Sequence, residues 1–276
     1  MKLSVILVNH NSCNGLRLAL TSVLKAGKGV EHEVIVVDNG SEDGSRMMLV
    51  TEYPHVRVIV NNKEESLSKA NNQAIRRAKG EYVLLLNPDT ISGPDTLAKL
   101  IAFMDQHPVV GGASVKMVDQ RGDFLSQSKH SLNGTWAAFL KLIGLSAYFP
   151  KTFSIFRRSD WTEEFETAEV DTLNANCMLL RRSVLNQTGL FDERFYRFGH
   201  NIDLSYRIRQ QGYKNYYYSK TYIIQLQGKF ASKFSWDHIK HFYGAMFIFA
   251  AKYLFNQPVP NTSDIGEIYP SSYEIE

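Results

Sequence analysis

Val34-Ile35-Val36-Val37-Asp38-Asn39-Gly40-Ser41 is an apolar, β-branched run that stops at a carboxylate and turns polar within one residue. The same change recurs three times nearby. Leu3–Val8 ends in Asn9-His10-Asn11-Ser12, Val56–Val60 in Asn61-Asn62, and Tyr82–Leu86 in Asn87-Pro88-Asp89-Thr90. Runs that are nearly all apolar predict strands buried on both faces. Between them the apolar residues recur at three- and four-residue steps: Leu16, Leu20, Val23 and Leu24, then Met48 and Leu49, then Leu67, Ala70, Ala74 and Ala78. Strand, helix, strand, three times over, predicts a doubly wound α/β protein with a parallel sheet and right-handed crossovers. Ligands of such sheets bind beyond the carboxyl ends of the strands, so the four polar ends are expected to line one crevice. Asn, Asp, Gly and Ser are also ordinary turn and cap residues, but that reading needs the coincidence four times.

Further along, a helix is expected over Pro94–Gln106 and a strand over Val109–Val118. Residues 131–159 lose the pattern; Trp136 to Phe149 with Lys141, Lys151, Arg157 and Arg158 reads as packing, with an acceptor-side loop, a surface helix or a peripheral membrane contact as alternatives. Leu173–Leu180 and Tyr213–Leu226 look like strands, and Ile202–Gln211 and Trp236–Phe255 like helices. The last presents Phe242, Met246, Phe249 and Tyr253 but is too interrupted to span a bilayer. One domain is expected over residues 1–255, with a nucleotide-binding half to about 118 and an acceptor half beyond, then a polar tail at 256–276.

Composition narrows the chemistry. Of 276 residues, 31 are Lys or Arg and 28 Asp or Glu, too even a balance for a nucleic-acid binder. Cys13 and Cys177 cannot build a disulfide framework or a four-ligand zinc site, and the first apolar run is too short for a signal peptide; a cytoplasmic setting is expected. The turn after the first strand, Asn9 to Gly15, has a single glycine, whereas a dinucleotide fold needs several there. No glycine-rich turn ending in Lys-Ser or Lys-Thr exists either. What remains are single acids after strands two and four. Asp38 can accept hydrogen bonds from a base or ribose, and Asp89 can hold Mn²⁺ or Mg²⁺ bridging a diphosphate.

Val36 to Ser45, Ala70-Asn71-Asn72-Gln73-Ala74-Ile75, Gly80 to Thr90, Asn176 to Val184, Gly189 to Phe195 and Asp203-Leu204-Ser205-Tyr206-Arg207 occur in this order. Together they resemble the family 2 glycosyltransferases, and within them the rhamnosyltransferase-like branch, whose Asp-x-Asp metal motif appears as Asn87-Pro88-Asp89. The resemblance implies a GT-A fold with a Rossmann-like, mostly parallel central sheet flanked by helices. It implies an inverting transfer from a UDP- or dTDP-sugar to a glycan or lipid-linked acceptor in polysaccharide biosynthesis. It also suggests roles: Asp38 at the base, Asn9 and Asn11 near the uracil or thymine, Asn72 near the ribose or diphosphate, Asn87 beside the donor, and Asp89 at the metal.

The sequence departs from the family at two places. Where a Gly-Glu-Asp-x-Asp-Leu motif is usual, this chain has Gly199-His200-Asn201-Ile202-Asp203-Leu204. An amide cannot take a proton, so Asn201 is not the base and fits a helix N-cap instead. His200, with an unperturbed pKa of about 6.5, is the nearest replacement, and Asp203 is a second candidate. The alternative is a non-catalytic homologue that only binds nucleotide sugars. A His that commonly follows the last sheet strand is matched here by Gln225.

Overall fold

The structure, a computed structural model, describes residues 1–129, 134–155, 164–226 and 236–254. The expected tail at 256–276 lies outside these, as do Arg157 and Arg158. The first half alternates β1 (Leu3–Asn9), α1 (Cys13–Ala26), β2 (His32–Asn39), α2 (Ser45–Glu52), β3 (Arg57–Asn61), α3 (Leu67–Ile75) and β4 (Tyr82–Leu86). Next come β5 (Thr90–Ser92), α4 (Thr96–Gln106), β6 (Val110–Val118), α5 (Gly134–Leu142), α6 (Pro150–Ile155), β7 (Ala168–Val170), β8 (Cys177–Arg181) and α7 (Arg182–Thr188). The chain then forms α8 (His200–Gln210), β9 (Lys214–Gln225) and α9 (Trp236–Leu254).

Among the described residues these strands make one sheet in the order β3-β2-β1-β4-β8-β6-β9-β5, with β7 on β9. The β3-β2-β1-β4 block is parallel, as the sequence predicts, and β6 runs parallel to β9. Strand β8 lies antiparallel between β4 and β6. Residues of β1 alternate between two cores: Leu3, Val5 and Leu7 join one beneath α1 and α4, while Ile6 joins the other beneath α3, α7 and α8. Burial on both faces is why that strand carries no alternating polar residues.

A third core holds α5, α8 and α9 together through Trp136, Leu140, Phe149, Ile202, Tyr206, Ala245 and Phe249. The Trp136 to Phe149 stretch therefore packs inward for the most part, although Leu142 stays 84% exposed. No helix among the described residues is long and apolar enough to cross a membrane.

Asp203 ties α8 to α9 within this third core. It is fully buried, and its carboxylate accepts from Arg207 Nε (2.9 Å), Lys252 Nζ (2.6 Å) and Tyr253 Oη (2.7 Å). Two cations and a phenol converge on one buried anion, so removing the anion leaves Arg207 with backbone carbonyls alone and Lys252 with Asp192 alone. Asp203→Asn is expected to destabilise the fold by ~3–5 kcal/mol, the usual cost of breaking a buried pair from one side. Urea unfolding measures this, and a loss below about 1 kcal/mol contradicts it.

Candidate active site

The carboxyl ends of β1, β2 and β4 lie side by side, and Asn9 is in register with Asp38. A cavity of about 240 Å³ opens beyond β1 and β4, lined by His10, Ser12, Asn71, Asn87, Asp89, Phe191 and His200 among others. It adjoins a larger cavity of about 840 Å³, and Leu67, Asn87, Ala175 and His200 line both.

Asp89 is half-buried, and its Oδ1 accepts from Ser12 Oγ at 2.6 Å. Its backbone N–H donates to Asn87 Oδ1 (3.1 Å), and Asn87 Nδ2 donates to Asn176 Oδ1 (3.2 Å), so the Asn-Pro-Asp turn is fixed from both sides. Ser12 precedes α1 as its N-cap but makes no side-chain cap bond, because its hydroxyl is directed to Asp89. The α1 N-terminus is closed by Asp43 instead, whose Oδ2 accepts from Cys13 N–H at 2.7 Å. Partial burial would raise the Asp43 carboxyl, but hydrogen bonds from Ser45 and Cys13 prevail and hold it below its usual range.

Gly15 explains how α1 comes so near. A Cβ there would fall 2.5 Å from Asp89 Oδ1 and 2.6 Å from Ser12 Oγ. Gly15→Ala improves intrinsic helix propensity by up to ~1 kcal/mol but pushes Asp89 off its position. The expected outcome is little change in melting temperature with at least a tenfold fall in turnover, checked by calorimetry and a donor-consumption assay on the same preparation. Full activity in the variant contradicts this role.

Asp38, one strand over on β2, and Asn9, at the end of β1, do not line these two cavities. Asp38 is fully buried; its Oδ2 accepts from Arg46 Nε at 2.5 Å and its Oδ1 has no partner. Asn9 donates to Ser41 Oγ (3.1 Å) and Ser45 Oγ (2.9 Å), and its Oδ1 also has no partner. Two buried, unpartnered acceptors on adjacent strands are costly unless a donor arrives. Asn11 has a φ of 51° and is exposed; its Oδ1 accepts from Glu42 N–H at 2.8 Å, which fixes the loop after β2.

Asn72 is placed differently from expectation. Its amide bonds both backbone groups of Phe191 (2.9 and 3.0 Å) and Glu193 Oε1 (3.0 Å), stapling α3 to the segment before α8. One helical step rotates a side chain by about 100°, and it is the neighbouring Asn71 that lines the cavity.

Helix α8 begins earlier than the sequence suggests. Gly199 caps it in the left-handed region (φ 81°), where a side chain would also press on the Phe195 ring at 3.0 Å. Asn201 is therefore inside the helix and is no N-cap; its Nδ2 donates to the Leu173 carbonyl at 2.8 Å. Asp203 is taken out of reach of the cavity by its three partners, so its candidacy as the base falls. His200 is 4% exposed, lines both cavities, and its Nδ1 has no hydrogen-bond partner among the described residues. Burial is the main influence on its pKa and pushes it down to about 4, against the opposing pull of Asp203 and the Arg197 backbone. The ring is thus neutral at physiological pH.

Gln225 pairs with Thr90 beside Asp89 and accepts from Gln127 Nε2 at 2.9 Å. Among the described residues no three His, Cys, Asp or Glu side chains converge as a metal cage. A lone carboxylate suits a hard cation that draws its remaining ligands from phosphate and water. Arg46 was not picked out by sequence reasoning; Ser12 and Ser41 were named only within the polar strand ends, Asn71 and Asn176 only within longer motifs, and Gly15 only as the single glycine of the first loop.

The family model described as Glycosyl transferase family 2 matches residues 4–165. An N-acetylglucosaminyl-diphospho-decaprenol L-rhamnosyltransferase of Mycobacterium tuberculosis is 25% identical over 236 residues, covering 79% of this chain and 74% of the relative. The poly(ribitol-phosphate) β-N-acetylglucosaminyltransferase TarS of Staphylococcus aureus is 33% identical over 112 residues, 39% of this chain and 19% of its own. Among solved structures, S. aureus TarS 1-349 in complex with UDP-GlcNAc superimposes with a TM-score of 0.65 at 20% identity, over 96% of this chain and 70% of that one. The Pyrobaculum calidifontis mannosyltransferase PcManGT in complex with GDP-Man and Mn²⁺ gives 0.61 at 18% identity, over 94% and 66%.

Proposed function

The chain belongs to glycosyl transferase family 2 and has the GT-A fold, and from that premise we propose an inverting transfer of a sugar from a nucleoside diphosphate to an acceptor hydroxyl, with His200 as the base. It is a glycosyltransferase; the non-catalytic alternative is not favoured. The observation that carries the proposal is that Asp89 and His200 line the same 240 Å³ cavity. A leaving group and a proton acceptor are needed on opposite sides of one anomeric carbon, and this cavity offers a place for each.

Asp38 and Asn9, at the ends of adjacent strands, would meet the nucleobase, their Oδ1 atoms accepting from its N–H groups once its entry uncovers them. Arg46 fixes the Asp38 carboxylate, and Ser41 and Ser45 orient the Asn9 amide. Asp89 would hold a divalent cation, and that ion, when bound, supplies Lewis-acid neutralisation of the departing diphosphate. Neighbours of the same fold crystallised with Mn²⁺ support a divalent metal; Mn²⁺ and Mg²⁺ both suit an oxygen donor. Ser12 and Gly15 keep the carboxylate where it is needed.

The acceptor hydroxyl then attacks the anomeric carbon as the bond to the diphosphate oxygen breaks. Its proton passes to the His200 imidazole, and the sugar changes anomeric configuration. A base with a pKa near 4 is as basic as the carboxylate usual at this place in the family, and it is unprotonated across the neutral range. The donor is a UDP- or dTDP-sugar and the acceptor a glycan or lipid-linked sugar, a reading supported by what the relatives act on. A panel of nucleoside diphosphate sugars, each incubated with Mn²⁺ and followed by NMR, tests the function. Release of the nucleoside diphosphate with an inverted product supports it, and retention of the anomeric configuration counts against it.

A further inference from the structure

Among its described lining residues the 840 Å³ cavity carries no carboxylate. Its polar wall includes amides such as Asn87, Gln127, Asn174 and Asn176 besides the imidazoles of His200 and His238, its aromatic wall includes Trp136, and its one Lys or Arg among the described lining residues is Arg197. Amides and rings suffice to hold a neutral sugar by hydrogen bonding and stacking. Arg197 is surplus to that task.

The Arg197 guanidinium donates through Nη2 to Glu64 Oε1 at 2.7 Å and lies 6.0 Å from the Tyr196 ring centroid, which steadies its plane. Its side chain is 44% exposed and that of Glu64 31% exposed, so the ion pair is weak and readily exchanged. The planar fork matches a phosphate or carboxylate in two-point geometry. Glu64 Oε2 also lies 3.8 Å from His10 Nε2 on the wall of the smaller cavity, so the anion that parks Arg197 already has a second partner.

We infer that Arg197 is a specificity-determining residue which leaves Glu64 to bind an acceptor sugar bearing an anionic group, either an anomeric phosphate or a uronate carboxylate. This rests on the reading above that the larger cavity receives the acceptor. The test uses hexose 1-phosphates, methyl hexuronides and methyl hexosides of the gluco, galacto and N-acetylgluco series where each exists. Ligand-observed NMR follows their binding to the full chain in saturating UDP and Mg²⁺, which keeps phosphates out of the donor site.

At least one anionic class is expected to bind ten or more times more tightly than its neutral counterpart. Arg197→Gln should level the two, and Glu64→Gln should tighten the anionic probe several-fold. Preference for the 1-phosphate assigns a glycosyl phosphate acceptor, and preference for the uronide an acidic sugar. Equal affinity for all three classes in the native chain, or a preference that survives in Arg197→Gln, overturns the inference. UDP affinity is measured on every variant: its retention shows that Arg197→Gln is folded. Absence of UDP binding in the native chain would strike the donor-site reading instead, and the probe comparison is then read without UDP.

Discussion

Asp89→Asn is expected to lower turnover by at least ~10³-fold while leaving the fold intact. The substitution keeps an oxygen for the Ser12 hydroxyl, which now donates to Asp89 Oδ1 at 2.6 Å, so the local geometry survives. What goes is the negative charge that a divalent cation needs. Charge stabilisation of that kind contributes several kcal/mol, and each 1.36 kcal/mol is tenfold in rate, so a loss of about 4 kcal/mol gives the stated factor. The check is twofold: donor turnover, and the Mn²⁺-dependent part of the rise in melting temperature with UDP. Both should vanish together, because a ligand that binds only the native state raises its stability. A variant that still responds to Mn²⁺ would place the metal elsewhere.

His200→Ala is expected to reduce kcat by ~10²–10⁴, the ordinary range for general-base help. The pH dependence separates this from a packing defect. Burial lowers the folded pKa of His200 from 6.5 to about 4, so the unfolded chain binds a proton more readily than the folded one between those values. The stability that follows is fully present above pH 6.5 and is lost as pH falls towards 4, amounting to ~3 kcal/mol at most. His200→Ala should abolish that acid-side slope. For catalysis, the native rate should fall only near pH 4, where the imidazole protonates, and not near 6.5. Turnover unchanged in His200→Ala removes the residue from the mechanism.

Restoring the family's acid at the next position is not expected to help. Asn201→Asp would exchange the donor that meets the Leu173 carbonyl at 2.8 Å for a carboxylate facing an oxygen, which is destabilising.

The parallel half of the sheet is legible in the sequence because β1, β2 and β4 are covered on both faces and all four strands end in a polar turn; β3, at the edge, is only partly covered, with Val60 50% exposed. The second half is harder to read for specific reasons. Strands β5 and β7 are three residues long, too short to carry a period. Leu173 belongs to the apolar run read as a strand, yet it is core packing under α8, and β8 starts at Cys177 after a turn in which Asn176 N–H donates to Asn174 Oδ1. Helix α8 was read from Ile202 because its polar first turn hides the start; the left-handed Gly199 marks it.

The site divides in the same way. Asp38 and Asp89 stand out in the sequence because each is the acid at a strand end; Asp89 lines the smaller cavity and Asp38 does not. Asn71 and Asn72 differ by one helical step, and nothing in Ala70-Asn71-Asn72-Gln73 tells which faces the crevice. Asp203 could not be judged without Lys252 and Tyr253, which lie 49 and 50 residues away.

The most direct measurement is a crystal structure of the chain soaked with UDP and Mn²⁺. The account predicts the nucleobase against Asp38 and Asn9, the metal ion on Asp89, and the terminal phosphate pointing into the cavity that His200 lines. A nucleotide bound away from the ends of β1, β2 and β4, or a metal ion that does not touch Asp89, would contradict it.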